Sequence, residues 1–561
     1  MEMKWWKNAV VYQCYPKSFQ DSNEDGIGDI QGIIERLDYL QDLGIDVLWI
    51  CPVYQSPMDD NGYDISDYYH VDESFGTDED LDRLIGEAGK RGIRILMDLV
   101  VNHTSDEHVW FREALQDPGR EYADYYIFKE GVDGGPPNNW RSHFGGSAWE
   151  KAGDNRYYLH AFSKKQPDLN WENPKLREEI YKMINYWLDK GLGGFRIDAI
   201  SNIKKNFEAV TFEPDGEDGM CFVGKGIANQ PGIEVFLSEL KERTFQPHNS
   251  MTVAEANVPE ELLDQFIGEN GFFSIVFDFS YADIDIPQTG EWDKPTNWTL
   301  RDLKQNIFHS QLETQKRGWG ALYLENHDQP RSLNKYLPEG DINKYSTTML
   351  ASLFMLLRGT PFIYQGQEIG MSNIRMDSMD DYNDPATKDQ YQRAVNSGMS
   401  PEQAFELAGR RSRDNSRTPM QWNDEKNAGF SGADSTWLKV NKNYPEINVV
   451  CELKNEDSVL NFYKKLIQLR KSGKYKNILT EGTFLPEDTK DQNLIAYRRV
   501  AAEGEILAIH NYQNKETKMV LDSSGCWEKI FSNYGEMRTE GNQILLRAYE
   551  ALALHCVNNG E

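Results

Sequence analysis

The chain is poor in the features that mark membrane and secreted proteins. In the 561-residue sequence no uncharged apolar stretch approaches the length of ~18 residues that is needed to span a bilayer. Residues 1–11 contain no apolar stretch of signal-peptide length. Six scattered cysteines form no CxxC pair: Cys14, Cys51, Cys221, Cys451, Cys526 and Cys556. Several lie within apolar runs, which is typical of reduced core thiols, so we expect a cytoplasmic protein without a membrane partner.

Basic residues are also few. The 60 Lys and Arg residues face 90 Asp and Glu residues, which gives a formal net charge of −30. Because an acidic surface repels nucleic acids and anionic lipids, we expect no nucleic-acid partner. The charge suits a neutral substrate, or serves solubility alone. Aromatic content is high at 12%, which indicates either a large core or rings that stack on sugars, and composition favours neither.

The length and the pattern of apolar residues predict the architecture. A chain of 561 residues exceeds what one hydrophobic core usually supports. Short β-rich runs alternate with amphipathic stretches, namely residues 30–43, 78–91, 174–190 and 344–357 among others. The runs span residues 10–15, 47–53, 93–101, 193–200, 251–257, 272–279, 320–328 and 360–369. This alternation predicts an α/β fold, a (β/α)8 TIM barrel.

Two segments depart from the alternation. Residues 104–172 are polar, aromatic and rich in Gly and Pro, and they are too long for an ordinary loop after the third strand. After about residue 478, short strands are predicted at 494–499, 505–510, 519–521 and 543–546. We therefore predict a barrel at 1–103 and 173–478, an inserted subdomain at 104–172 and a C-terminal all-β sandwich domain at 479–561.

Ionisable residues recur where four predicted strands end. The four segments are 98–103 (DLVVNH), 194–198 (GFRID), 253–257 (VAEAN) and 325–328 (ENHD). A single charged residue at a strand end is more often a cap or a loop salt bridge. Four ends that each carry a carboxylate, together with two histidines and an arginine, are costly to pack unless a ligand or a reaction needs them. The pattern predicts an active site at the C-terminal face of the barrel.

These segments resemble the signature regions of the α-amylase superfamily, closest to its oligo-1,6-glucosidase and α-glucosidase branch. Further shared segments are 166–171 (QPDLNW), 325–331 (ENHDQPR) and 417–422 (RTPMQW). The resemblance extends along nearly the whole chain. It implies a retaining, exo-acting hydrolase that releases glucose from the non-reducing ends of short α-glucosides, with a small oligosaccharide as its substrate partner.

The resemblance also implies residue roles. Asp198 would be the nucleophile, Glu255 the general acid and then the base, and Asp328 the carboxylate that holds the 2- and 3-hydroxyls of the sugar. The first two should lie about 5–5.5 Å apart, which predicts retention of configuration. Arg196 shares a strand face with Asp198 and can keep it ionised, whereas the surroundings of Glu255 should raise its pKa.

The remaining predicted substrate contacts surround the terminal glucose. By the resemblance, His103 and His327 would donate hydrogen bonds to its hydroxyls, the alternative being satisfied core imidazoles. Asp60 and Tyr63 match the positions that grip and stack this sugar. Arg413, one of four arginines between residues 410 and 417, would pair with Asp60 and close the pocket. A further residue, Phe162, is either a stacking ring or part of the core.

An acidic loop predicts a second site. Residues 21–29 (DSNEDGIGD) place oxygen donors at every second position and glycine at the sixth, as in the first part of an EF-hand loop, although the twelfth position is Gly32 instead of Glu. Related glucosidases carry a structural calcium ion here, and the alternative is a solvated acidic turn. The predicted ligands are Asp21, Asn23, Asp25, Asp29 and the Ile27 carbonyl.

The residue after the nucleophile bears on the bond that is cleaved. In this branch Val accompanies strict α-1,6 preference, and smaller residues accompany α-1,4 activity. Ala199 therefore favours a relaxed enzyme, whereas the whole-chain similarity favours α-1,6 bonds, and we predict hydrolysis of both. We expect a monomer or a small homo-oligomer.

Three alternatives share the scaffold. A sucrose isomerase would carry an arginine-rich loop, and residues 283–288 (DIDIPQ) contain none. A trehalose-6-phosphate hydrolase would need a cationic pocket, on which the sequence does not decide. A catalytically dead relative, like the amylase-like subunits of amino-acid transporters, would lack carboxylates that this chain keeps.

Overall fold

The computed structural model describes residues 4–116, 119, 121–206, 208, 210–216, 218–287, 290–521 and 527–556. Gln288 and Cys526 lie outside the described residues. Eight short parallel strands form the centre, and we label them β1 to β8. They are β1 Val11–Cys14, β2 Val47–Ile50, β3 Arg94–Val100, β4 Gly194–Asp198, β5 Met251–Ala254, β6 Ile275–Val276, β7 Ala321–Leu322 and β8 Thr360–Tyr364.

The strands confirm the predicted barrel. They are hydrogen-bonded in the order β6-β5-β4-β3-β2-β1-β8-β7, and a parallel bridge between Val276 and Gly320 joins β6 to the start of β7. Every residue of β1, β2, β4 and β8 is buried, because helices cover the outside of the barrel and side chains fill its interior.

Helices follow the strands as the amphipathic pattern predicts. Asp78–Lys90 begins with a capping box between Thr77 and Asp80. The predicted helix at 30–43 is divided at Arg36 into two. The helices around the barrel are Ile30–Glu35, Leu37–Leu43, Asp78–Lys90, Pro174–Asp189, Ile233–Leu240, Leu263–Ile267, Leu300–Arg317, Ser332–Tyr336, Lys344–Met355 and Val459–Lys471. Further helices are Val109–Gln116, Gly224–Ile227, Phe279–Ala282, Pro385–Asn396, Pro401–Arg411, Asp414–Arg417, Val449–Lys454 and Lys476–Thr480.

Two predicted strands are much shorter than expected. The apolar runs at 272–279 and 320–328 contribute only the two-residue strands β6 and β7. Asp278 accepts a hydrogen bond from the Ser280 amide and begins a helix at Phe279, which stops the first run. The second run continues into polar residues that leave the sheet for the C-terminal face, where the predicted site lies.

The segment after β3 forms a separate small sheet. Strands Phe128–Glu130, Arg156–Leu159 and Trp149–Lys151 are antiparallel. Strand Trp140–Arg141 pairs in parallel with Cys221–Phe222, which lies beyond β4. The inserted unit therefore also packs against residues outside the predicted range of 104–172.

The end of the chain is all-β. A five-stranded sheet contains, in spatial order, Thr483–Pro486, Leu494–Ala501, Gly504–Asn511, Ala551–Cys556 and Glu528–Ser532. A three-stranded sheet contains Thr517–Val520, Gln543–Leu546 and Arg538–Glu540. Leu507, Ile544 and Leu546 are buried in one cluster between the two sheets, as in a sandwich.

Two buried arginines lie where this region meets the barrel, and Arg499 joins the two. Arg499 Nη1 donates to the carbonyls of Leu356 (2.9 Å) and Leu479 (2.7 Å). Arg470 Nη1 donates to the carbonyls of Met355 and Leu357, both at 3.2 Å. The acceptors lie at or just beyond the ends of helices, where carbonyl groups lack partners within the helix.

The predictions on membrane spans and cysteines can be compared with the described residues. No described helix is both long and apolar enough to cross a bilayer. Cys14, Cys51 and Cys221 are buried free thiols, Cys451 is a half-buried free thiol, and Cys556 is half-buried. The cytoplasmic location and the oligomeric state stay predictions.

Candidate active site

One arginine connects the carboxylates at three adjacent strand ends. Arg196, buried on β4, places Nη1 2.5 Å from Asp98 Oδ1 and 2.6 Å from Asp198 Oδ1. Its Nη2 lies 2.7 Å from Oε1 of Glu255, the residue directly after β5. Strands β3, β4 and β5 are neighbours in the barrel, so their C-terminal ends bring these groups together.

This environment gives the two predicted catalytic groups different proton affinities. Burial raises the pKa of Asp198 to about 6, against the opposing effect of Arg196. The pKa of Glu255 is raised to about 7. Burial is the main cause, the charges of Asp198 and Asp328 add to it, and the charge of Arg196 opposes it. Near neutral pH, Asp198 is therefore mainly ionised while Glu255 retains much of its proton, as a nucleophile and a general acid require.

The third predicted carboxylate has the opposite shift. Asp328 Oδ1 accepts from Arg417 Nη2 (2.8 Å) and Arg413 Nη1 (3.3 Å), and Oδ2 lies 3.1 Å from His327 Nε2. Burial alone would raise its pKa, but these three side chains hold the pKa well below its usual range. Asp328 is thus a fixed negative charge at neutral pH.

Arg413 also closes one end of the site. Its Nη2 lies 3.3 Å from Asp60 Oδ1 and 2.8 Å from Asp384 Oδ1. Gln166 Nε2 donates to Asp60 Oδ2 at 3.2 Å. One guanidinium therefore contacts Asp60 after β2, Asp328 after β7 and Asp384 after β8. These contacts fix the three segments that form the closed end.

Tyr63 and His327 form a buried pair behind Asp328. Their rings stack at 5.4 Å with an interplanar angle of 7°, and the Tyr63 hydroxyl lies 2.6 Å from His327 Nε2. Gln13 Nε2, which can only donate, lies 2.7 Å from His327 Nδ1, so the proton of the neutral ring lies on Nε2. Burial lowers the pKa of His327 to about 3, which keeps the ring neutral.

His103 and Phe162 lie on the wall formed by the inserted subdomain. His103 Nε2 donates to the Tyr63 carbonyl at 3.1 Å, and burial lowers the pKa of His103. Phe162 is half-buried; its ring lies 5.2 Å from that of His103 and stacks on His143 at 4.5 Å. This ring forms part of the cavity wall as well as packing on protein.

Ala199 has an unusual backbone conformation. Its φ of 42° and ψ of 34° are in the left-handed region, which non-glycine residues rarely adopt and which is often found at functional sites. The conformation directs its amide to Glu255 Oε2 at 3.0 Å. The residue after the predicted nucleophile therefore helps to orient the predicted acid.

These groups surround one cavity of about 290 Å³. Its lining residues are Asp60, Tyr63, His103, His143, Phe144, Phe162, Asp198, Glu255, Ile286, Gly290, Trp292, Asp328, Ala386, Gln390 and Arg413. The structure thus brings together most of the predicted site. Arg196, Ala199 and His327 lie behind the lining, and both ring nitrogens of His327 already contact protein groups, so its predicted direct contact with a sugar hydroxyl stays a prediction.

Comparison with known families identifies the scaffold. The model of the α-amylase catalytic domain matches residues 13–482. The chain belongs to the α-amylase family. A second model, the C-terminal domain of the α-amylase SusG, matches residues 494–552.

Relatives within the α-amylase family include several activities. Oligo-1,6-glucosidase of Parageobacillus thermoglucosidasius is 45% identical over 98% of this chain and 99% of that protein. A crystal structure of trehalose-6-phosphate hydrolase from Bacillus licheniformis has a TM-score of 0.91 at 40% identity and covers 99% of this chain and 100% of that chain. Isomaltulose synthase from Klebsiella sp. LX3 has a TM-score of 0.92 at 37% identity, with the same coverage.

Sequence reasoning missed several lining residues of this α-amylase family site. His143 and Phe144 come from the inserted subdomain, Trp292 from the segment after β6, and Gln390 from a helix after β8. Because none of them ends a barrel strand, the strand-end pattern could not find them. A tryptophan in a polar, glycine-containing segment was the one available signal, at Trp292.

The predicted calcium loop is held by its own hydrogen bonds. Asp21 accepts from the amides of Asn23, Glu24 and Gly26 and from the Ser431 hydroxyl. Asp29 caps the following helix through the Gly32 amide. In the part of the chain that the structure describes, no group of three or more Asp, Glu, His or Cys side chains is arranged to hold a metal ion. The donor types suit calcium, and the calcium site stays a prediction.

Proposed function

We propose that the chain is a retaining, exo-acting α-glucosidase that hydrolyses terminal α-1,6 and α-1,4 bonds of isomaltose- and maltose-type oligosaccharides. The observation that carries the proposal is the shared contact of Arg196 with Asp198 and Glu255, in a cavity that Asp328 also lines. The acidic groups and aromatic rings of this cavity suit a neutral sugar.

The reaction follows from the proton states. Asp198 attacks the anomeric carbon while Glu255 transfers its proton to the glycosidic oxygen, so the carbon–oxygen bond breaks and the shortened sugar leaves. The glucose is then held as a β-linked ester on Asp198. Glu255, now ionised, takes a proton from water, and the resulting attack on the anomeric carbon releases α-glucose and restores both carboxyl groups.

The geometry favours retention over inversion. Inverting enzymes separate their two carboxyl groups by ~6.5–9.5 Å to admit water, whereas retaining enzymes keep them ~5–5.5 Å apart. Contact of both carboxylates with the two terminal nitrogens of one guanidinium supports the shorter separation. Closure of the cavity by Arg413 and Asp60 supports exo action, because it leaves room for one terminal sugar.

The linkage remains dual in this proposal. Relatives named oligo-1,6-glucosidase support α-1,6 bonds, and the small side chain of Ala199 supports α-1,4 bonds as well. A single side chain in a pocket changes the ratio of two substrates' kcat/KM values by about 10- to 200-fold.

Phosphorylated substrates fit less well, although trehalose-6-phosphate hydrolase of Bacillus subtilis is 40% identical over 98% of this chain. Arg413 is the one cation in the described lining, and it already contacts three carboxylates. Near the rim, Lys294 and Arg393 both pair with Glu291. A phosphate would therefore have to displace existing ion pairs.

The test is glucose release from isomaltose, maltose, sucrose, trehalose and trehalose-6-phosphate, measured side by side. We expect turnover of isomaltose and maltose, with α-glucose as the first anomer seen by NMR. Turnover of only one of the two would contradict dual specificity. Preference for trehalose-6-phosphate, or conversion of sucrose into an isomer without glucose release, would replace the proposal with the corresponding alternative.

A further inference from the structure

The ring of Trp292 at the cavity makes no ring contact with another side chain among the described residues. Trp292 is half-buried and lines the cavity. Its indole has no stacking or cation–π contact with another described side chain, unlike Phe162, which stacks on His143. An unpaired ring in a polar cavity is suited to the apolar face of a sugar, because aromatic groups bury area while polar groups fix orientation.

The position of Trp292 relative to the reaction follows from burial. The lining residues Asp60, Tyr63 and His103 are buried at the end closed by Arg413. Residues Ile286, Gly290, Trp292 and Ala386 are half-exposed. The terminal glucose occupies the buried end in the proposed function, so the leaving sugar lies toward the half-exposed rim that includes Trp292.

Gln390 holds the backbone on both sides of this rim segment. Its Oε1 accepts from the Trp292 amide at 3.0 Å, and its Nε2 donates to the Gly290 carbonyl at 3.1 Å. The side chain is buried, with 8% of the residue exposed. Both ends of one carboxamide are thus used to fix the segment that carries the indole.

The same helix contributes further contacts. Three and seven residues after Gln390, Arg393 Nη2 lies 3.3 Å from Glu291 Oε1 and Ser397 Oγ lies 3.3 Å from Asp293 Oδ2. Residues spaced by three and four share one helix face. Residues 290–293 therefore rest along a single stripe of the helix Pro385–Asn396 and its C-terminal cap.

The helix begins at the closed end of the cavity. Asp384 accepts from the Ala386 amide as the N-terminal cap and also binds Arg413 at 2.8 Å. At 1.5 Å per residue, Gln390 lies ~9 Å along the helix from that cap. The helix is thus a rigid connection between Arg413 at the closed end and the segment that carries Trp292.

We propose that Gln390 is a positioning residue that holds Trp292 as the platform for the pyranose ring of the leaving sugar. Gln390 sets preference for the second sugar through Trp292 without taking part in bond cleavage. This role rests on the proposed α-glucosidase function.

The test uses substrates with and without a leaving sugar. Isomaltose and maltose present a second pyranose, whereas α-glucosyl fluoride presents only fluoride beyond the anomeric carbon. We expect Gln390→Leu and Trp292→Ala each to raise KM for isomaltose about 10- to 100-fold, with a loss on α-glucosyl fluoride at least fivefold smaller. Because the two residues act as one unit, the double variant should lose about as much as either single variant.

Two controls keep the result interpretable. Gln392 lies on the same helix, where its exposed side chain donates a hydrogen bond to Asn396, so Gln392→Leu should leave both substrates unaffected. Gln390→Glu keeps the acceptor for the Trp292 amide and loses the donor to Gly290, so it should fall between wild type and Gln390→Leu. It also remains informative if Gln390→Leu does not fold, as judged by circular dichroism.

The outcomes separate the two proposals. Equal losses of Gln390→Leu on both substrates, additive losses in the double variant, or no loss at all would overturn the role of Gln390. A wild-type protein that cleaves α-glucosyl fluoride but neither disaccharide would instead overturn the proposed function.

Discussion

The two ends of the cavity are built from different chemistry. At the closed end, Arg413 and Arg417 contact the carboxylates of Asp60 and Asp328, and the tight network leaves little freedom to any member. At the open rim, the lining consists of half-exposed rings and small residues, with Trp292 held through its backbone.

The difference indicates how selectivity is divided. Charged hydrogen bonds are directional and strong, so the closed end can demand one sugar in one orientation. Stacking on rings is less directional, so the rim can accept leaving sugars joined through different hydroxyls. A strict first sugar and a tolerant second sugar are what a dual α-1,6 and α-1,4 enzyme needs.

The largest effect should come from the nucleophile. Asp198→Asn keeps shape but cannot form the ester, and we expect kcat/KM on isomaltose to fall ~10⁴-fold or more. Glucose release from purified protein is the measurement. Activity within tenfold of wild type would contradict the mechanism. Trp292→Phe, a rim change, is the comparison and should lose far less.

Breaking the closed end should come next. Arg413→Lys keeps the charge but loses the planar fork that reaches three carboxylates, and we expect kcat/KM to fall about 10²-fold because the terminal sugar is misplaced. The melting temperature should also fall, since buried carboxylates lose a partner. Arg410→Lys, outside the lining, is the matched control. Equal effects of both changes would show that Arg413 does not define this end.

The pH dependence should report only the two catalytic carboxyl groups and no group at the rim. Activity requires Asp198 ionised and Glu255 protonated, so kcat/KM should rise with pH up to about 6 and fall above about 7. Burial lowers the pKa of His143 at the rim to about 4, so this group stays neutral across that range. Profiles measured on isomaltose and maltose should superimpose. If the apparent pKa of either limb of the profile differed between the two substrates, a titrating group would have to lie at the rim.

A smaller change is expected at the junction of the two ends. Ala199→Val should shift the ratio of isomaltose to maltose turnover toward isomaltose by about 10-fold. A β-branched residue is strained at a φ of 42°, so the melting temperature should drop too. Ala199→Gly removes this strain without adding bulk and is the control for the ratio. An unchanged ratio in the valine variant would remove Ala199 as the basis for dual specificity.

Calcium should have the smallest effect and none on selectivity. If residues 21–29 bind the ion, adding calcium to chelator-treated protein should raise the melting temperature by a few degrees, roughly 2–5 °C. Asp25→Ala should abolish that rise while the isomaltose to maltose ratio stays constant. A rise that persists in this variant would locate the ion elsewhere.

Sequence reasoning predicted the parts of the molecule whose local residue pattern alone determines where they lie in the fold. Eight apolar runs became the barrel strands because a parallel barrel buries both faces of each strand. The runs at 272–279 and 320–328 overestimated β6 and β7, because apolar residues there pack in loops and in the helix from Phe279. Asp198 and Glu255 were found because they end strands.

The rest depended on distant segments. His143, Trp292 and Gln390 reach the cavity from insertions, and no local period indicates where an insertion folds back. Asp384 was also missed, although it is the cap of a helix and the partner of Arg413. The strained conformation of Ala199 depends on the tertiary contact with Glu255 and leaves no trace in the sequence.

The buried Arg499 between barrel and sandwich limits how the gene can be divided. A chain ending after the barrel, at residue 478, would lose Arg499 and with it the donor to the carbonyl of Leu356. Each buried carbonyl without a donor costs about 1–3 kcal/mol. The C-terminal sandwich is therefore not an interchangeable module, and a chimera with a foreign sandwich needs an arginine at the equivalent place before it can be expected to fold.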